Sequence, residues 1–475
     1  MIDGNNGPCR KLYGAGLFLS FILFFFCFSM VARAEHVVCI DPGHGGDNLG
    51  AEYLGAALPE PLKGVTEKDL TLITSLAMKE RLEKYEDVRV VMTRTDDRAL
   101  SLEERAQIAA ASGAEFLFCI HYNASASMRL YGSEVWVSPF GAEYAAGAQF
   151  GLIETKALES LGLVDRGVKT KISDKTGLDY YGILKHSREQ GVPAAIIEHC
   201  HLDNPHDYGF YDTVEKLKRF GEIDADSAAE YLGLKSEALG KDFSGRVLAN
   251  VPAPINPVSQ DRTDPDFCLA ELVSEDPASA SCVVNISALD SDSRITYYTV
   301  SFDNGITESD YVTWPKGKDT FQVKIDVPSG IVPELVITAY NNYDLGTASP
   351  MIPLTSVVRK HAGEEEKSSG VSALGDSDGG DPSAGQEEGW QEEGIEGENS
   401  DSPIPYEETE AQKGYSRWAP EREALPIEED HFFYFLEVSL VAVAILFGLF
   451  LTTLLFTALT SGGRRKQNRK QRYRA

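Results

Sequence analysis

Three short apolar runs limit the fold more than any other feature of this chain: HVVCI (36–40), AEFLFCI (114–120) and PAAIIEHC (193–200). They have the length and unbroken apolar character of strands buried on both faces. The segments between them carry helical spacing instead. In KDLTLITSLAMKERLEKY, Leu70, Ile73, Leu76 and Ala77 fall on one face, and SLEERAQIAAA opens with a capping box from Ser101 to Glu104. Strands and helices alternating over residues 35–240 predict an α/β domain. Its sheet is expected to be twisted and mostly parallel, flanked by helices, with active groups emerging at strand ends.

The pattern changes after Asp242. TFQVKIDVP alternates apolar and polar positions, TYYTVSF runs into the turn DNG, and ELVITAYNNYDLG reads as a strand and a turn. Several short strands over residues 255–357 predict a small all-β sandwich resembling a fibronectin- or immunoglobulin-like module. Its aromatics Tyr297, Tyr298, Tyr311 and Trp314 are candidates for a carbohydrate platform, or for core. Cys268 and Cys282 are a candidate disulfide, whereas Cys39, Cys119 and Cys200 lie in apolar runs and read as buried thiols.

Both ends of the chain carry targeting signals. Residues 1–34 combine Arg10 and Lys11, an apolar run from Leu17 to Met30, and Ala32-Arg33-Ala34 as a small-x-small cleavage site. That is a signal peptide or an uncleaved anchor, and either exports the domains behind it. Near the other end, residues 436–461 contain the uncharged run Val438–Thr460, long enough at about 1.5 Å per residue to cross a bilayer. The basic tail 462–475 comes next, which puts the C-terminus in the cytoplasm and the body of the protein outside the cell membrane. Residues 361–430, rich in Gly, Ser and acids, form an expected disordered linker that carries much of the formal net charge of −29. That charge therefore says little about the folded domains, and no nucleic-acid partner is expected.

The chemistry gathers at the expected strand ends. DPGHGGDNLGA leaves His44 in a glycine-rich turn that has neither a phosphate-loop ending nor G-x-G-x-x-G. VTEKDL sets Glu67 at a helix start, and FCIHYNAS sets His121 where a buried strand meets a polar turn. Singly, the histidines read as structural hydrogen-bonders and Glu67 as a helix-dipole partner. Together, two His and one Glu on one sheet rim make the three-ligand set that suits a catalytic Zn²⁺ with an open position. Glu198, ending PAAIIE among apolar neighbours, is the candidate catalytic base. Asn123 and Arg94 are candidates for lining the groove, or for turn and packing positions.

VVCIDPGHGG, TEKDLTL, MTRTDDRALSLEERAQIA, FLFCIHYNAS and VPAAIIEHCHLDNPHD occur in the order found in zinc-dependent N-acetylmuramoyl-L-alanine amidases, which residues 36–234 resemble. The resemblance implies that His44, Glu67 and His121 hold Zn²⁺. It also implies that Glu198 is the catalytic carboxylate and that peptidoglycan is the substrate. Two departures stand out. Where the family commonly runs Gly-Phe-Leu-Ser-Asn after its Glu, this chain has His199-Cys200-His201-Leu202-Asp203-Asn204, one residue longer. Where Ala-Asn is usual on the second helix, it has Ala109-Ala110. The first departure alters the wall of the site and motivates an alternative reading: a catalytically weak or inactive peptidoglycan-binding scaffold on the same fold. A zinc peptidase acting on stem peptides is a third. Within the altered stretch, Cys200 is expected in the core, and His199 and His201 at the substrate or in a turn.

Overall fold

The computed structural model describes residues 35–51, 62–328 and 333–355. The signal-like start, the acidic linker, the uncharged C-terminal run and the basic tail lie outside these residues. Among the described residues no helix is long and apolar enough to cross a membrane.

The first domain is built on six strands: β1 (His36–Pro42), β2 (Val88–Met92), β3 (Phe116–Asn123), β4 (Ser133–Val137), β5 (Asp165–Lys169) and β6 (Ala194–His201). Their order in the sheet is β2-β1-β3-β6-β4-β5. All neighbours run parallel except β4 and β6, which are antiparallel. The expected mostly parallel sheet is therefore present, with one reversal. Five helices cover it. We number them α1 (Glu67–Leu82), α2 (Leu102–Ser112), α3 (Gly141–Glu159), α4 (Gly182–Glu189) and α5 (Val214–Leu232). α1 and α3 pack with α5 on one face, and α2 with α4 on the other. Phe116, Phe118, Phe150 and Tyr231 fill the first interface with tilted and edge-on rings. Cys39, Cys119, Trp136, Ile183 and Ile196 fill the second.

The buried side of α1 differs from the one its apolar spacing suggests. Leu76 and Ala77 are only half-buried, whereas Thr71, Thr74 and Ser75 are fully enclosed. The reason is a close crossing by α5: Gly221 lies so near the Thr74 carbonyl that a Cβ there would overlap it. Small polar residues fit that contact, and the two threonines spend their hydroxyls locally. Thr71 donates to Gly43 O (2.9 Å), and Thr74 pairs with the Tyr122 hydroxyl (2.6 Å). The Ser101–Glu104 capping box of α2 forms as expected.

After a short hairpin of β7 (Lys235–Ser236) and β8 (Lys241–Asp242), the chain crosses the first domain as a strap. Val258 donates to Pro139 O and accepts from Thr170, and Gln260 exchanges two hydrogen bonds with the Ile172 backbone. Eight strands then form a sandwich: β9 (Phe267–Asp276), β10 (Ser281–Leu289), β11 (Ile295–Ser301), β12 (Val312–Thr313), β13 (Thr320–Asp326), β14 (Glu334–Asn341), β15 (Gly346–Ala348) and β16 (Ile352–Pro353). One sheet runs β13-β10-β9; the other runs β12-β11-β14-β15, with β16 also on β14. Cys268 and Cys282 are free thiols in its core, facing Ala288 and Glu275 across the ladder rather than each other. The candidate disulfide is not formed. Tyr297, Tyr298 and Trp314 are buried, so they build the core and the domain interface and offer no open platform.

Candidate metal centre and its neighbours

β1, β3 and β6 run in the same direction, so their C-terminal ends share one rim of the sheet. The turn after β1 holds His44 in left-handed backbone (φ 60°), followed by Gly45 and Gly46, also at positive φ. Two glycines clear space for the cluster. A Cβ at Gly43 would overlap the His121 imidazole, and one at Gly50 would collide with Glu67 and His44.

Glu67 is the first residue of α1, behind a Thr66 whose N–H and hydroxyl both donate to Asp69. Its Oε1 lies 3.1 Å from His44 Nε2 and 3.2 Å from His121 Nδ1, and also accepts from the Tyr122 N–H. Its Oε2 accepts from the Ala51 N–H (2.9 Å). One donor atom from each of His44, Glu67 and His121 can be chosen so that all lie within 4.8 Å of one another. Burial alone would raise the Glu67 carboxyl, but the two imidazoles hold it well below the usual carboxylate range.

The donor chemistry fits a cation. His44 Nδ1 faces Asn48 Oδ1 at 2.8 Å, an acceptor that fixes the proton on Nδ1 and leaves a lone pair on Nε2. That lone pair then points at a carboxylate oxygen that can only accept. Two acceptors at 3.1 Å repel unless a proton or a metal ion stands between them. Accordingly, the metal-free geometry raises the His44 pKa: burial works against the charged imidazole, but Glu67 outweighs it.

Glu198 lies directly opposite His121 on the neighbouring strand. The residue is half-buried, yet its Oε2 is closed to solvent and has no hydrogen-bond partner. Burial, then the charges of Glu67 and Glu134, push its pKa well above the ordinary value. Glu134, directly opposite Glu198 on the antiparallel side, is its electrostatic opposite. Asn123 (2.8 Å) and Trp136 Nε1 (2.9 Å) donate to Glu134 Oε1, while Arg166 (2.8 Å) and Lys169 (2.6 Å) donate to Oε2. Burial opposes that charge, but Lys169 and Arg166 outweigh it and keep the Glu134 carboxyl far below the ordinary range.

The stretch after Glu198 departs from expectation. Register passes from His121 opposite Glu198 to Asn123 opposite His201, so β6 absorbs one extra residue as a bulge. Both histidines there are buried, neither in a turn nor on an open surface. His199 Nδ1 lies 2.9 Å from the His121 carbonyl, and its Nε2 3.0 Å from both Asp224 oxygens. His201 Nδ1 lies 3.1 Å from Gly132 O, and Cys200 is in the core as expected. Arg94 does not line a groove: it is buried and donates to the carbonyls of Pro42, Gly43 and Lys68, bracing the His44 turn. Nothing local in the sequence marks Glu134 or Arg166 as part of this site, and the interior role of His199 depends on Asp224, 25 residues away. A cleft of about 840 Å³ opens away from the cluster, between Gly162–Asp165, His206 and the sandwich residues Arg294, Thr296 and Trp314.

The fold and this rim define an α/β protein with a metal-ligand donor set beside a buried carboxylic acid. Residues 38–228 match the family model described as N-acetylmuramoyl-L-alanine amidase. The N-acetylmuramoyl-L-alanine amidase CwlM of Bacillus licheniformis is 32% identical over 182 residues, covering 38% of this chain and 60% of that protein. The uncharacterized protein YqiI of Bacillus subtilis is 34% identical over 165 residues, covering 34% of this chain and 68% of that one. The catalytic domain of CwlV, an amidase from Bacillus (Paenibacillus) polymyxa var. colistinus, aligns at TM-score 0.35 with 26% identity, over 42% of this chain and 99% of that domain. The chain belongs to the N-acetylmuramoyl-L-alanine amidase family. It spans less than two thirds of the CwlM relative.

Proposed function

We propose that the first domain is a zinc-dependent N-acetylmuramoyl-L-alanine amidase that cuts the amide bond between N-acetylmuramic acid and L-alanine in peptidoglycan. The observation that carries this is the His44–Glu67–His121 donor set beside a Glu198 whose buried Oε2 has no partner. Those three residues would hold the ion, which supplies a Lewis acid for the amide carbonyl and for water. Glu198 supplies the proton traffic. Its carboxylate takes a proton from water as the oxygen attacks the carbonyl carbon, then delivers it to the nitrogen as the C–N bond breaks. Burial raises the Glu198 pKa, which strengthens the carboxylate as a proton acceptor for the first half of that cycle.

The altered stretch after Glu198 is the motive for the inactive-scaffold alternative. Its extra residue is taken up as a bulge, with both histidines engaged in the interior. That favours the enzyme. Zinc-loaded full-length protein incubated with peptidoglycan should release free L-alanine amino ends and leave glycan strands bare of peptide. Mass spectrometry showing cuts within the stem peptide would indicate a peptidase, and no cuts at all would indicate the scaffold. In this reading the domain is exported and held at the cell membrane by the Val438–Thr460 run, with the basic tail inside. Protease shaving of intact spheroplasts should degrade the enzyme domain and spare a tag on the C-terminus.

A further inference from the structure

We propose that the β-sandwich is a working part of the catalytic unit, positioning Glu134 against Glu198 through Arg166. The inference rests on the amidase reading for its kinetic consequences and on geometry for the coupling itself.

β5 is the outer strand of the sheet, and an open strand edge leaves N–H and C=O groups unpaired. Here side chains of the sandwich take them. Arg294 donates to Asp165 O, Asn342 to Arg166 O (3.2 Å), and the Thr170 N–H just beyond the strand donates to the Tyr343 hydroxyl (3.1 Å). The sandwich thus replaces the seventh strand that the edge lacks.

Arg166 projects from that edge with its side chain 1% exposed. Its Nε donates to Glu134. Its other nitrogens point into the sandwich, Nη1 to the Tyr297 hydroxyl (3.2 Å) and Nη2 to both Asp344 oxygens (3.0 and 2.9 Å). Tyr297 also donates to the Tyr131 carbonyl, two residues before β4. One planar guanidinium therefore spans the two domains, and its fixed fork transmits the position of one to the other.

Charge balance explains why both ends are needed. Glu134 and Glu198 stand directly opposite on adjacent strands, where like charges repel. Lys169 and Arg166 keep Glu134 turned toward themselves, and Asp344 balances the second buried cation. Without Asp344 the guanidinium loses its anchor in the sandwich, its fork is no longer held from both sides, and the position of Glu134 against the base is no longer fixed. Asn123, held by the same carboxylate two residues after His121, relaxes with it.

The test uses full-length protein loaded with zinc. Asp344 has positive φ (66°), which glycine adopts without strain, so Asp344→Gly removes the carboxylate cleanly and Asp344→Asn restores one acceptor. Lys316→Ala is the control, because it breaks an exposed ion pair to Glu159 across the same interface but far from Glu134 in the network. Expected for Asp344→Gly is a fall in kcat of about tenfold with KM and zinc content unchanged, partly recovered in Asp344→Asn. Amide hydrogen exchange should also rise in β4 and around Glu198. Lys316→Ala should change neither. Unchanged kcat and exchange in Asp344→Gly would overturn the proposal, as would equal losses in both variants tracking a lower Tm. If the wild type cuts no peptidoglycan, the amidase reading is what fails, and the exchange in β4 alone decides the coupling.

Discussion

The rim around His44 and the interface under the sandwich are both lined with buried charge, and they treat it in opposite ways. At the interface every charged oxygen of Glu134 meets two donors, and Arg166 uses all three nitrogens. At the rim, Glu198 Oε2 has no partner and two imidazoles crowd one carboxylate oxygen. A buried polar group left unpaired costs about 1–3 kcal/mol, and Glu198 bears that cost beside the His44–Glu67–His121 donor set. Glu134 and Glu198, cross-strand neighbours of the same residue type, carry the contrast in miniature: the saturated carboxylate is a strut, and the unsaturated one is the proposed base.

The sharpest way to break that contrast is to exchange the two losses. Glu198→Gln should lower kcat by about 10³- to 10⁴-fold, roughly 4–5.5 kcal/mol in the barrier, while zinc binding persists. Its effect on stability should have the other sign. A carboxyl whose folded pKa is raised loses stability as pH climbs through the unfolded value near 4.3 toward the folded one. Metal-free Glu198→Gln should therefore melt above the wild type at pH 7, and a lower Tm there would contradict the assignment of Glu198 as an unpaired group. Glu134→Ala should instead destabilise by about 3–5 kcal/mol, because Arg166 and Lys169 are left buried without their common partner. Urea unfolding measures it.

Acid sharpens the same comparison. Glu134 is held well below the ordinary range, so its contribution is fully present above about pH 4.3 and drains away as pH falls toward its folded value. The Tm of wild-type protein should drop across that window. Glu134→Ala, already lacking the contribution, should show a visibly shallower decline; parallel curves would mean that Glu134 is not the group being titrated.

Legibility in the sequence divides along the same line. Runs buried on both faces announce a parallel sheet, and parallel strands bring the residues at their C-terminal ends to one rim, so His44 and His121 can be placed together from pattern alone. Glu67 looks like a helix-dipole residue until the motif series is taken as a whole. The reversal of β4 is not readable, because SEVWV carries no mark of direction, and that reversal sets Glu134 opposite Glu198. Nor is the docking of the sandwich: Arg166 and Asp344 are 178 residues apart, and pairing them requires the fold. Tyr297 and Trp314 stay open between platform and core in the sequence, because a buried aromatic and a glycan platform have the same composition; the fold places them inside. Arg94 is open between groove and packing for the complementary reason, since a buried arginine that saturates backbone carbonyls looks in sequence like any charged surface residue.

His199 falls between the two regions and gives the smallest and most discriminating effect. It lies one residue past the reagent, yet it is enclosed like a strut, stacked on Tyr122 with ring centroids 5.1 Å apart and bonded to Asp224. Asp224 in turn neighbours Glu154, whose carboxyl is pushed well up by burial and by Asp224 itself. His199→Gly, which installs the residue common at this place in the family pattern, leaves Asp224 without its imidazole partner and opens a void. We expect a loss of about 2–3 kcal/mol in stability. The activity of the folded fraction should fall by less than about tenfold, because the imidazole's one bond toward the rim is to the carbonyl of His121, not to any of the donor atoms. His199→Gln, with an amide able to meet the same carbonyl, should recover part of the stability. A kcat collapse in His199→Gly without loss of Tm would move this residue from the interior to the reacting site.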